Sequence, residues 1–194
     1  MTRPVFGLVL AGGESRRMGR DKATLQRDGK SQLAYLAELL EQHVERVFVS
    51  TRADQANEPE RARFEQIVDS VDTGGPLAGI LSAIAAYPAV DWLVVACDLP
   101  NIDETTIEYL LQNRATMQPF TAFESSHDSL PEPLCAVYHV GSGEIVRDFV
   151  EDGINCPRKI MIRSDTLLLQ QPDPRALDNV NTPDDLRDSI LQAS

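Results

Sequence analysis

The stretch "LVLAGGESRRMGRDKATL", residues 8–25, decides the fold. It opens as an apolar run, breaks at Gly12 and Gly13, and then sets Arg16, Arg17, Arg20 and Lys22 close together. The run Val5 to Leu10 is continuous rather than alternating, which is the pattern of a strand in a parallel sheet covered on both faces. In such a sheet ligands collect at the carboxyl ends of the strands, so the loop after the first strand is the default site. Glycines lacking a Cβ let backbone N–H groups approach an anion, and arginine and lysine add charge-assisted hydrogen bonds to phosphate oxygens. Two readings stand: a phosphate cradle, or a solvated basic loop that offsets an acidic remainder.

Outward from this loop the same alternation continues. Leu33, Leu36, Ala37, Leu40 and Val44 recur at helical spacing, and Val47-Phe48-Val49 then reads as a second buried strand, completing a βαβ unit. Ala53 to Arg63 is polar and ambiguous. Ile67-Val68 is a short strand candidate, and "GGPLAGILSAIAA" (74–86) carries Pro76 where a first helical turn accepts it. Trp92 to Cys97 is a further strand ending at Asp98, and Asp103 can cap a helix whose apolar side is Ile107, Leu110 and Leu111. Strand candidates Phe120–Phe123, Leu134–Tyr138 and Leu167–Leu169 flank a helix through Ile145, Val146, Phe149 and Val150. Thr182-Pro183-Asp184-Asp185 starts a last helix with a hydroxyl cap, a proline and two acids. The expectation is one α/β domain over 1–194: a doubly wound, mostly parallel sheet with helices on both faces, and an antiparallel extension within 115–170.

Bulk properties narrow the function. The 194 residues suffice for one sizeable core, and 42% hydrophobic with 25% charged residues is an ordinary globular composition. A net charge of −12 argues against nonspecific binding to nucleic acid or an anionic membrane, since both rely on excess positive charge. Apolar runs are too short to span a bilayer and Met1 to Leu10 lacks a signal-peptide cleavage pattern, so a cytoplasmic location is expected. Cys97, Cys135 and Cys156 are widely spaced without C-x-x-C, which reads as small buried hydrophobes rather than a zinc or disulfide framework. His43, His127 and His139 receive no role.

Named phosphate motifs do not fit the loop. A P-loop needs G-x-x-x-x-G-K-[ST], but Gly19 is followed by Arg20. The dinucleotide fingerprint G-x-G-x-x-G fails at Gly12-Gly13-Glu14, and a serine-hydrolase elbow would need glycine where Arg17 stands. The segment "LAGGESRRMGRDKA" instead resembles the signature L-A-G-G-x-x-x-R-M-G-x-D-K of nucleoside triphosphate transferases, and specifically of molybdenum cofactor guanylyltransferases. The resemblance continues in order through "GGPLAGILSA" (74–83), "CDLP" (97–100), "PLCAVY" (133–138) and "NVNTPDDL" (179–186). It implies a Rossmann-like nucleotidyltransferase fold and transfer of GMP from GTP to the terminal phosphate of molybdopterin, with release of pyrophosphate. The N-terminal part would bind the nucleotide and the C-terminal part the acceptor.

Asp98 has two readings from the residues alone: a strand-end polar group, or a ligand for a hard cation such as Mg²⁺, which takes oxygen donors and often needs only one or two carboxylates beside substrate phosphates. The resemblance assigns it the metal role. It also implies that Leu10, Ala11, Gly12, Gly13, Ser50 and Asp69 meet the nucleotide, with Lys22, Arg17 and Asp98 as the catalytic set. Position 50 is serine where those enzymes commonly carry asparagine, and a hydroxyl has fewer fixed donors and acceptors than a carboxamide, which leaves the base preference open between GTP and CTP. Asn179 and Asn181, at i and i+2 of an extended segment, can share a face. By resemblance they line the pterin side with Arg158 and Lys159. Expected partners are therefore molybdopterin and GTP, with transient contact to proteins that make or receive the pterin. A noncatalytic nucleotide-binding module is the rival class, and retention of both Lys22 and Asp98 weighs against it.

Overall fold

The structure, a computed structural model, describes residues 3–13, 21–187 and 189–191. Its centre is a seven-stranded sheet built from β1 (Val5–Leu10), β4 (Arg46–Thr51), β5 (Gln66–Val68), β6 (Asp91–Ala96), β7 (Phe120–Glu124), β8 (Pro131–Tyr138) and β9 (Thr166–Leu169). The spatial order is β5-β4-β1-β6-β8-β7-β9. The remaining strands, β2 (Gln26–Arg27) and β3 (Lys30–Ser31), form a small separate hairpin. β1 pairs in parallel with β4 and β6, and β4 with β5, so these four strands end at one sheet edge. β8 runs antiparallel to both β6 and β7, which is the expected extension, and it begins at that same edge. A register shift between Ala122 and Phe123 interrupts the β7–β8 ladder.

Helices cover both faces, as the doubly wound expectation required. α1 (Gln32–Glu41) and α3 (Glu104–Gln112) pack Leu33, Leu36, Leu40, Ile107 and Leu110 against Val5, Val9, Leu93 and Val95. On the other face α2 (Gly75–Ala86), α4 (Ser142–Glu151) and α5 (Pro157–Ile162) bring Leu77, Ile80, Val146, Ile160 and Met161 onto Leu8, Trp92 and Val94. Successive residues of β1 and β6 therefore feed different cores, which explains why those runs are apolar throughout rather than alternating. Ser31 caps α1 and Asp103 caps α3, each side chain accepting an N–H of the first turn. α6 (Pro183–Arg187) follows the Thr182 cap.

Observed strands exceed the expected runs where polar ends join the ladder. β4 extends from Arg46 to Thr51, and β6 stops at Ala96, so Cys97 lies just past the strand. No helix among the described residues is long and apolar enough to cross a membrane. Two of the cysteines, Cys97 and Cys135, are buried thiols as expected, while Cys156 is only partly covered. His139 proves to be buried in a polar contact: its Nδ1 lies 3.1 Å from Asp91 and its Nε2 2.9 Å from the Thr121 hydroxyl.

Candidate active site

The four parallel strand ends open onto one cleft of 780 Å³. Leu10, Ala11, Gly12 and Gly13 enter it from β1, Ser50 from β4, Asp69 from just beyond β5 and Asp98 from beyond β6. Every nucleotide-side residue expected from the sequence and lying among the described residues thus shares one cavity. Arg17 lies outside the described residues. The floor depends on a close approach: a Cβ on Gly79 would fall inside contact distance of the Ser50 hydroxyl, 3.0 Å from Ser50 Cβ and 3.2 Å from Leu10 Cδ2. Glycine alone lets α2 lie that near to β4 and β1. Gly74 and Gly75 adopt positive φ of 66° and 60° at the start of α2, turning its uncapped first turn toward the cleft. The free N–H groups of such a turn favour an anion.

Lys22 is delivered by a tight turn. The 3₁₀ segment Lys22–Thr24 is capped by Asp21, whose Oδ1 accepts the Ala23 N–H at 3.0 Å. From there the ammonium reaches Asn181 Oδ1 at 2.7 Å and Asp98 Oδ2 at 3.5 Å. Asn181 is brought in by the chain after β9: Val180 N–H donates to the Asp98 carbonyl at 2.8 Å, and the Asp185 carboxylate accepts the N–H groups of Asn181 and Thr182 at 2.9 and 2.8 Å. Residues 76 and 159 positions apart in sequence thereby meet Lys22 at one point.

Electrostatics distinguish the two acids of the cleft. Burial pushes the Asp98 carboxyl above its ordinary value, and the Lys22 ammonium pulls it partway back. Its Oδ1 is buried with no hydrogen-bond partner among the described residues. An orphaned carboxylate oxygen inside a cleft is the arrangement a hard cation satisfies. Burial likewise raises Asp69, opposed by the Ser50 hydroxyl, which donates to its Oδ1 at 3.0 Å, and by the Arg52 guanidinium. Among the described residues there is no group of three or more His, Cys, Asp or Glu spaced to hold a metal ion.

The acceptor-side residues separate. Asn179 lines a recess of 140 Å³ together with Arg158, Glu132 and Leu134, and Leu134 also borders the main cleft. Asn181 lines neither space but holds Lys22, which borders the main cleft, so the two asparagines do not share one pocket. Arg158 is held by Glu132 at 2.8 Å and Asp128 at 2.9 Å. Lys159 is exposed on α5 and lines neither space. Sequence reading missed Arg52 and Arg61, both in or beside the polar stretch left ambiguous: Arg52 donates to the Gly12 carbonyl at 3.2 Å, and Arg61 is fully buried beneath the loop.

A glycine loop, a lysine and an acid converging at the ends of parallel strands describe many transferases, and comparison with known proteins decides among them. The pattern of the MobA-like NTP transferase domain matches residues 7–165. The chain belongs to that family. This transferase is 35% identical over 182 residues to the molybdenum cofactor biosynthesis bifunctional protein of Synechocystis, covering 94% of its own length and 52% of that relative, so it spans about half of the larger protein. It is 33% identical over 188 residues to the molybdenum cofactor guanylyltransferase of Pseudomonas paraeruginosa, covering 93% of its own length and 92% of that enzyme. In fold it is similar to the molybdopterin-guanine dinucleotide biosynthesis protein A of Archaeoglobus fulgidus, with a TM-score of 0.78 at 23% identity over 94% of this chain and 95% of that one. The nucleotidyltransferase architecture expected from the sequence is the one observed.

Proposed function

We propose that this transferase moves GMP from GTP to the terminal phosphate of molybdopterin and releases pyrophosphate, with Mg²⁺ required. The observation that carries the reading is that Lys22 and Asp98, with Asn181 holding Lys22, line the same cleft as Gly12 and Gly13. The relatives of similar length named molybdenum cofactor guanylyltransferase support a guanylyl donor and a molybdenum-cofactor acceptor. In this reaction an acceptor phosphate oxygen forms a bond to the α-phosphorus of GTP as the bond from that phosphorus to the β-phosphate bridging oxygen breaks. No covalent bond to the protein is needed, so catalysis is alignment and charge neutralisation.

The residues divide that work. Leu10 and Ala11 border the triphosphate space, the Ala11 N–H being held by the Ser50 carbonyl. The N–H groups of Gly12 and Gly13, with the start of α2, cradle the phosphates, and Lys22 balances charge on the phosphoryl group in transfer. Arg17, from the same loop motif, is assigned to the phosphates. Asp98 would hold Mg²⁺ together with substrate oxygens, and the ion supplies charge neutralisation when bound. Asp69 and Ser50 face the base: a carboxylate pairs well with two adjacent N–H donors, which guanine presents at N1 and its amine and cytosine does not. Asn181 orients Lys22 from the acceptor side, Asn179 and Arg158 line the pterin recess, and Lys159 on the neighbouring surface serves the acceptor's charge. The N-terminal part of the one domain thus takes the nucleotide and the C-terminal part the acceptor.

The test is pyrophosphate release from GTP, CTP, ATP and UTP, each with and without molybdopterin and Mg²⁺. Release from GTP alone among the four, requiring both additions, is expected. Preference for CTP would reassign the base subsite, and GTP binding without any transfer would make the chain a binding module.

A further inference from the structure

Arg61 is fully buried, yet it spends its donors on both ends of the glycine loop. Nε and one terminal nitrogen converge on the Ala11 carbonyl at 3.1 and 2.5 Å, while the other terminal nitrogen binds Asp21 at 2.6 Å and also contacts Glu58. Ala11 closes the strand side of the loop and Asp21 opens the turn that presents Lys22. Burial alone would make this guanidinium less basic, but the Asp21 and Glu58 carboxylates outweigh it and hold the charge in place. The segment carrying it is itself anchored, because Gln66 donates to the Arg61 and Ala56 carbonyls and accepts from Thr51 on β4.

The consequence follows from peptide geometry. The Ala11 carbonyl and the Gly12 N–H belong to one planar trans unit and point in opposite directions. A fork of two N–H groups drawing the Ala11 oxygen down therefore turns the Gly12 N–H away from Arg61, and Gly12 lines the cleft. Glycine offers little resistance to a peptide flip, so this orientation needs an external hold. The next peptide is held in the same manner by Arg52 on the Gly12 carbonyl. Asp21 links the second half of the device, with one carboxylate oxygen on Arg61 and the other capping the Lys22 turn.

We propose that Arg61 is a positioning residue that presets the phosphate-binding loop by aiming the Gly12 N–H and fixing the Lys22 turn, without itself touching substrate. This inference rests on the reading of the cleft as a GTP site. Arg61→Lys restores a charge beside Asp21 and Glu58, but a single ammonium cannot supply the two parallel donors to Ala11. A misaimed N–H to a phosphate lowers GTP affinity roughly 10- to 150-fold.

The experiment measures binding of GTP with Mg²⁺ and of guanosine to the wild type, Arg61→Lys and Arg61→Met, alongside thermal denaturation. Guanosine reports the base subsite alone. Weakened GTP binding with unchanged guanosine binding in Arg61→Lys is the expected result. Unchanged GTP binding overturns the proposal, and so does an equal loss for both probes with a lowered Tm, which would make Arg61 a general support of the fold. If Arg61→Met does not fold, Arg61→Lys still decides. A wild type that binds no GTP defeats the GTP reading and, with it, this one. That failure appears in the wild-type arm, whereas failure of the Arg61 inference alone appears only in the variants.

Discussion

Replacing Gly79 by alanine tests the close approach that shapes the cleft floor. The added Cβ would strike the Ser50 hydroxyl and lie 3.0 Å from Ser50 Cβ and 3.2 Å from Leu10 Cδ2. Two responses are open to the protein. Ser50 can rotate and abandon Asp69, losing a hydrogen bond to a charged group at about 1.5–3 kcal/mol, or α2 can shift, with an overpacking cost of about 1–3 kcal/mol. Alanine in a helix interior returns about 1 kcal/mol over glycine. The net loss is then roughly 0.5–2 kcal/mol, a fall in Tm of about 1–8 °C for a domain of this size. Thermal denaturation of Gly79→Ala, Ser50→Ala and the double variant separates the contributions, because both single changes act on the same Ser50–Asp69 contact. The double variant should be less destabilised than the sum of the singles by at least about 0.5 kcal/mol. Additive effects, or a Gly79→Ala protein more stable by the whole helix-propensity gain, would refute the packing argument.

Asp69→Asn should leave stability at pH 7 unchanged or raised, since burial lifts the pKa of Asp69 in the folded state and ionising it there opposes folding. The same variant should lose discrimination among nucleotide bases in competition binding, and a clear drop in Tm would contradict the electrostatic reading. Asp91 is the opposite case: burial opposes its ionisation, but His139 and the Val140 N–H outweigh that and hold its pKa below 3.8. Its carboxylate therefore contributes stability above that value, and the contribution is lost as pH falls through the lowered folded pKa. Asp91→Asn should cost about 1.5–3 kcal/mol in urea denaturation at pH 7 and progressively less as the pH falls below 3.8, whereas a pH-independent cost would remove the carboxylate from the account. Asp185→Asn should slow pyrophosphate release while leaving guanosine binding intact, because the Asp185 carboxylate holds the Asn181 and Thr182 backbone beside Lys22, away from Ser50 and Asp69. Weakened guanosine binding in that variant would point to a wider collapse.

What the sequence revealed and what it concealed have separate physical causes. Strands buried on both faces need continuous apolar runs, so β1, β4 and β6 and the edge at which they end could be read directly. Asp98 followed because it comes just after such an end, and Lys22 because it belongs to the glycine and arginine loop that leaves β1. Asp103 announced a helix start through capping chemistry that is local in sequence, whereas the Ser31 cap of α1 emerged only in the structure. Arg61 was illegible for the converse reason. A buried arginine looks like any other in a polar stretch until its partners, 40 to 50 positions away, are known. The paired asparagines misled in one respect: the i, i+2 spacing suggested one shared face, but the tether from Val180 to the Asp98 carbonyl sets Asn181 against Lys22 and leaves Asn179 in the adjoining recess. Arg158 was placed on the pterin side by resemblance, and nothing in the sequence signalled its ion pairs with Glu132 and Asp128.

Single-turnover pyrophosphate release from GTP, with Mg²⁺ and molybdopterin present, addresses the convergence of Lys22 and Asp98 most directly when run on Lys22→Met and Asp98→Asn. Each variant should keep its fold and its guanosine binding and lose roughly 100- to 1,000-fold in rate, the usual toll for removing one charge contact from a transition state. Near-normal release from either variant would mean that the cleft binds a nucleotide without these two groups acting on it.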